Sequence, residues 1–186
     1  MSKEFNFSIC MPVYQGSHLI GNAIDSIRKQ EFENYEILIG DDNQAEAKAE
    51  SEKTEEILDS YNDPRIKYTK NEKNLGYPEN LKLIVSRAKK DIIFLMAQDD
   101  FLSNDALQKT HDAFLLSDDI GVVTRPYFWF YDDLNQPVRA VTPYDPANDA
   151  VLSVHDGKEA FNKIFDSVGQ LSGLAYRRKY LEVPFH

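Results

Sequence analysis

Asp91-Ile-Ile-Phe-Leu-Met-Ala-Gln-Asp-Asp100 holds an unbroken apolar run, Ile92 to Ala97, between polar ends. The run does not alternate, so both faces of this strand are expected to be buried. Strands of that kind belong to parallel sheets with helices on both sides. Working outward, Pro78 to Ala88 places Leu81, Ile84, Val85 and Ala88 at helical spacing, and Arg65 to Thr69 reads as a strand before it. Tyr35 to Gly40 is another apolar strand, followed by a polar helix from Glu50 to Tyr61 with Ile57 and Leu58 inward. Phe7 to Val13, a Tyr-Gln-Gly turn and the helical spacing of His18 to Lys29 complete the pattern towards the N-terminus.

Strand and helix thus alternate four times, which predicts an α/β fold with a mostly parallel central sheet flanked by helices. Ligands of such sheets sit beyond the carboxyl ends of the strands, at the switch point of strand order. C-terminal to Asp100 the pattern changes. Ser103 is the expected N-cap of a helix over 105–116, and Ile120 to Thr124 reads as a strand. The aromatic run Tyr127-Phe-Trp-Phe-Tyr131 reads as core and hairpin packing, with shielding of an acceptor cleft or a subunit contact as alternatives. A hairpin turn over 133–137, a loop over 142–150, a helix over 156–165 and a last strand near 174–176 are expected after it.

A chain of 186 residues, 42% hydrophobic and 28% charged, fits a single globular domain. No apolar run nears the roughly 18 residues of a membrane helix, and Met1 to Phe5 opens no signal peptide. The expectation is a cytoplasmic domain; peripheral association with the inner membrane would come through parts outside this chain. A net charge of −10 disfavours nucleic acid and anionic lipid, so an anionic ligand needs a local cation. Cys10 stands alone, which rules out an internal disulfide and reads as a small buried hydrophobe. His18, His111, His155 and His186 lack metal-ligand spacing.

Two acid pairs, Asp41-Asp42 and Asp99-Asp100, close the second and fourth strands and should emerge on the same rim. Carboxylates brought close repel, and a bound cation is a common reason to tolerate them; solvated loop acids or helix caps are the alternative. In order and spacing, four segments resemble the family 2 glycosyltransferases of the GT-A fold. They are Ser8-Ile-Cys-Met-Pro-Val-Tyr-Gln-Gly16, Tyr35-Glu-Ile-Leu-Ile-Gly-Asp-Asp42, Asn74-Leu-Gly76 with Asn80, and Asp91 to Asp100. The resemblance implies transfer of a sugar from a nucleoside diphosphate, uridine-linked with thymidine as the alternative, to a saccharide or polysaccharide acceptor, with inversion and a Mn²⁺ or Mg²⁺ ion. It divides the chain into a nucleotide-binding half, 1–101, and an incomplete acceptor-side half, 102–186. A nucleotide-sugar-binding module without transfer is the alternative, and a homo-oligomer is left open.

Residue by residue, the resemblance assigns the metal to Asp100 and the ribose hydroxyls to Asp99. Asp42 matches the acid that accepts the uracil imide N–H. Tyr14 would stack on the base beside the backbone of Pro12 and Val13, while Gln98 and Asn80 complete the donor contacts. Asn74-Leu-Gly76 opens a helix whose free N–H groups suit an anion, although it reads equally as a plain loop. Three departures follow. Asp42-Asn-Gln-Ala-Glu46 replaces the usual Asp-Gly-Ser-Xaa-Asp, Ala97 stands where the metal motif has its first Asp, and Glu79-Asn80 stands in a helix where many members place an Arg. Arg177 and Arg178 are candidates for the missing cation. A carboxylate general base is expected well after Gly173-Leu-Ala-Tyr-Arg-Arg178, so the chain reads as truncated; Asp145 or Asp166 would be a substitute.

Overall fold

The fold is that of a computed structural model, which describes residues 4–131, 138–140, 149–158, 162 and 170–181. The expected turn over 133–137, most of the loop over 142–150, most of the helix over 156–165, Asp145, Asp166 and His186 lie outside the described residues.

Four strands run parallel: β1 (Phe7–Val13), β2 (Tyr35–Asp41), β3 (Ile66–Lys70) and β4 (Ile92–Leu95). Between them pass α1 (Ser17–Arg28), α2 (Lys48–Ser60) and α3 (Tyr77–Arg87), and α4 (Ala106–Leu115) follows β4. The second half adds β5 (Val122–Val123), a separate hairpin of β6 (Phe128–Trp129) and β7 (Arg139–Ala140), and β8 (Ala175–Arg177). The main sheet has the order β3-β2-β1-β4-β8-β5, with β8 antiparallel to both β4 and β5. The α/β, mostly parallel expectation holds.

Strand periodicity sorts the core into two layers. Phe7, Ile9, Met11, Ile37, Ile39 and Phe94 face α1, α2 and α4, whereas Cys10, Leu38, Ile93 and Leu95 face Ile84 on α3 and Ala88 just past its end. Each large side chain so buried stabilises by about 1.5–3 kcal/mol, which is why β1, β2 and β4 lie inside while half-exposed β3 forms an edge. One charge intrudes on the α3 layer: Glu36 is buried, accepts a hydrogen bond from Ser8 Oγ at 2.7 Å and pairs with Lys67.

Several expectations are corrected. At the start of α4 the N-cap position is taken by Asp105 rather than Ser103, and no side chain caps the helix. The aromatic run does form a hairpin, with Val138 N–H donating to Trp129 O at 2.7 Å, but it is not core. Phe128 and Trp129 are about half exposed and Tyr131 more so, while Phe130 packs its ring on Phe101. Arg177 and Arg178 do not lie at the rim of the acid pair. Antiparallel β8 carries them to the amino-terminal end of β4, the rim opposite Asp100. There Arg177 donates to Phe114 O, Ser117 O and Ile120 O at the end of α4, and Arg178 donates to Lys90 O.

Candidate active site

Strand order reverses between β1 and β4, so the turns after these two strands flank the switch point. The last ladder bond here runs from Met96 N–H to Cys10 O at 3.1 Å. Beyond it the Gln98 side chain bridges the gap: Tyr14 N–H donates to Gln98 Oε1 at 3.0 Å, and Gln98 Nε2 donates to Tyr14 O at 2.9 Å. On the other side Asp42 N–H donates to Val13 O at 2.9 Å, and Gln15 N–H donates to Asn43 Oδ1 at 2.9 Å. The turn after β1 is therefore pinned from both neighbouring strands. Its central residue, Gln15, sits at φ 48°, a left-handed conformation that costs a non-glycine residue energy and recurs at binding sites. Tyr14 projects from this turn with its ring about half exposed.

Asp99 is exposed and Asp100 half buried at the end of β4. Burial pushes the Asp100 carboxyl above the usual carboxylate range; hydrogen bonding to Ser172 pulls it back, and the charge of Asp99 adds to the rise. The Ser172 hydroxyl also accepts from Ala97 N–H at 2.8 Å, tying the second half of the chain to the acid motif. Tyr77, at the start of α3, feels the same charges: burial raises its phenol, and Asp100 and then Asp99 add to it. A cation between Asp99, Asp100 and an anionic ligand would relieve this crowding.

The acids of β2 do not join them. Asp41 is fully buried towards α2, where its carboxylate accepts from Ser51 Oγ and Tyr68 OH, both at 2.6 Å, and from Asn43 N–H at 2.8 Å. Asp42, 3% exposed, accepts from Asn71 Nδ2 at 2.9 Å and from the N–H groups of Leu75 and Gly76 at 2.8–3.0 Å. The expected convergence of the two pairs is thus corrected, and among the described residues no three His, Cys, Asp or Glu side chains gather to hold a metal. Asn80 lies beneath Asp42 at 2% exposure, donating to Gly40 O and accepting from Asn71 Nδ2, both at 2.9 Å. An open cleft of about 660 Å³ continues along this flank, lined by Lys73, Asn74, Leu75, Glu79, Lys82 and Leu83.

Pro12, Val13, Tyr14, Gln98, Asp99 and Asp100 all lie along the carboxyl ends of β1 and β4, with Asp42 one strand away. Sequence reasoning missed Gln15, Asn43, Asn71, Tyr77 and Ser172. Asn43 was within reach, since it stands in the unusual loop after Asp42; Ser172 arrives from a distant segment and left no local trace.

A parallel sheet with an aromatic turn and an acid pair on either side of its switch point defines a GT-A domain. Solved structures agree on the fold: S. aureus TarS 1–349 in complex with UDP-GlcNAc has a TM-score of 0.53 at 21% identity, covering 63% of this chain and 33% of that one. Mannosyltransferase PcManGT from Pyrobaculum calidifontis, in complex with GDP-Man and Mn²⁺, has a TM-score of 0.56 at 17% identity, covering 67% and 37%.

The chain belongs to glycosyl transferase family 2, whose sequence pattern matches residues 8–181. It is 29% identical over 137 residues to an uncharacterized glycosyltransferase of Haemophilus influenzae, covering 73% of this chain and 52% of the relative. To the abequosyltransferase RfbV of Salmonella typhimurium it is 35% identical over 106 residues, covering 54% and 30%. The chain therefore spans about half the length of the first relative and less than a third of the second.

Proposed function

We propose that this chain binds a nucleoside-diphosphate sugar, uridine-linked, at the β1–β4 switch point and belongs to an inverting glycosyltransferase that acts on a saccharide acceptor. The observation that carries the reading is the pairing of the pinned Tyr14 turn with Asp99-Asp100 across the switch point. Complexes of structural neighbours with UDP-GlcNAc, and with GDP-Man and Mn²⁺, support a donor of this class.

In this reading the Tyr14 ring stacks on the base beside the backbone of Pro12 and Val13, and Asp99 accepts from the ribose. Asp42 holds the Asn71–Gly76 turn as the wall of the base pocket, and acceptance of an imide N–H would share oxygens that already take these donors. Asn80 supports that wall from below. The donor set fits a hard divalent ion, Mn²⁺ or Mg²⁺, held by Asp100 with diphosphate oxygens and water completing its shell. Such an ion supplies charge compensation for the leaving diphosphate. Residues 1–101 form the nucleotide half and 102–186 the acceptor side, within a protein acting in the cytoplasm on polysaccharide assembly. Among the described residues no helix is long and apolar enough to cross a membrane.

Calorimetry with uridine diphosphate and guanosine diphosphate, each with and without Mn²⁺, tests the reading. Tighter Mn²⁺-dependent binding of the uridine nucleotide is expected, and no binding of either would overturn it. Donor hydrolysis measured alongside separates a transferase from a module that only holds the donor.

A further inference from the structure

The Gln98 carboxamide meets both backbone polar groups of one residue, Tyr14. That exchange of N–H and C=O is what a facing residue makes in an antiparallel hydrogen-bonded pair, although the β1–β4 seam itself is parallel. Gln98 thus extends the β1–β4 seam past its last ladder bond, Met96 N–H to Cys10 O, with a side chain in place of a strand. Its amide orientation is fixed by its partners, because Tyr14 N–H can only donate and Tyr14 C=O can only accept.

Gly16 gives independent support. A Cβ at this position would lie 2.3–2.4 Å from three atoms of the Gln98 carboxamide, so the glycine leaves room for this side chain. On the far side, Asn43 takes the N–H of Gln15 at φ 48°, so the latch closes on a strained turn held from two strands. A turn of this kind would relax without its clamps.

We propose that Gln98 is a positioning residue that latches the Tyr14 backbone and so sets the Tyr14 ring before the donor arrives; this rests on the donor-site reading above. In this role Gln98 acts through the Tyr14 backbone. Its contribution is to remove the ordering cost that a loose turn would pay on binding. Glutamate at the position would keep the bond from Tyr14 N–H but set a carboxylate against Tyr14 O, and methionine would keep the length and lose both bonds.

Two measurements on the full chain test this. Amide hydrogen exchange reads the latch directly: Tyr14 N–H should be protected in the wild type and lose protection in Gln98→Met, while Met11 on β1 keeps its own. Unchanged Tyr14 protection would overturn the proposal. Binding of uridine diphosphate reads the coupling. Gln98→Met and Tyr14→Ala should each weaken it about tenfold, and the double variant should be no weaker than Tyr14→Ala alone, as for residues acting in series. Additive losses would overturn it. Gln98→Glu, expected between wild type and Gln98→Met, carries both measurements if the methionine variant does not fold. If the wild type binds no nucleotide, the donor-site reading fails, and the exchange of Tyr14 still decides the latch.

Discussion

Asp41 and Asp42 are neighbours in sequence and face opposite sides of the sheet. The alternation of β2 carries on past its end, so Asp41 turns to α2 and β3 while Asp42 turns to the Asn71–Gly76 turn before α3. Each acid organises the segment packed on its own side of the sheet.

Asp41→Ala would strip the partner from Ser51 Oγ, Tyr68 OH and Asn43 N–H at a fully buried site. The expected cost is about 3 kcal/mol in urea unfolding. Asp41→Asn should cost about 1 kcal/mol, because the two hydroxyls can rotate to accept from its amide.

Asp42→Asn has no such escape. Leu75 and Gly76 can only donate, so the oxygen of the new amide must face them and its NH₂ must face Asn71. Asn71 would flip to accept, setting its oxygen against that of Asn80, which cannot turn while it donates to Gly40 O. One conflict survives in every arrangement. Uridine diphosphate should bind about tenfold more weakly, and the N–H groups of Leu75 and Gly76 should exchange faster.

The sequence made β1, β2 and β4 legible because each is buried on both faces and mostly apolar, with Ser8, Glu36 and Asp41 the polar exceptions. It made the helices legible through spacings such as Leu81, Ile84, Val85 and Ala88. The sheet beyond β4 was not: two- and three-residue strands carry no periodicity, so nothing local told that β8 runs antiparallel and removes Arg177 and Arg178 from the site. The acid pairs were visible, but not what they touch. Whether Asp42 meets a cation or three N–H groups depends on residues about thirty positions away, and periodicity cannot see contacts at that range.

Asp100 carries a pH signature. Its carboxyl titrates above the usual range, so the folded protein holds this proton more tightly than the unfolded chain does. The stability it contributes is therefore lost as pH rises from the ordinary Asp value, about 4, through the raised one. Asp100→Asn should melt higher than the wild type at pH 7 and alike below about pH 4, with Mn²⁺ no longer improving nucleotide binding.

Asp63 shows the opposite sign. Arg65, bonded at 2.7–2.9 Å, holds its carboxyl below the usual range against the effect of burial, and Arg28 at 3.2 Å adds to this. Both arginines are about one-third exposed, so Asp63→Asn should cost only about 1 kcal/mol at pH 7. That contribution is present above the ordinary Asp value and is lost as pH falls below about 4, where the two melting curves should converge.

Gly40→Ala joins stability to function. A Cβ there would lie 2.5 Å from Asn80 Oδ1 and 2.6–2.8 Å from two carbons of Ile84, because α3 packs directly on this point of β2. Such overpacking should cost about 1–3 kcal/mol. Two contacts are violated, and they can be told apart. Adding Ile84→Ala makes room on the aliphatic side, so the losses of the two variants should not add. The clash with Asn80 remains in the double variant, and Asn80 links Gly40 O to Asn71 and through it to Asp42. Urea unfolding should therefore show part of the stability returning while nucleotide affinity stays low. Recovery of both together would mean that α3 packing alone, and not the Asn80 chain, sets the shape of the base wall.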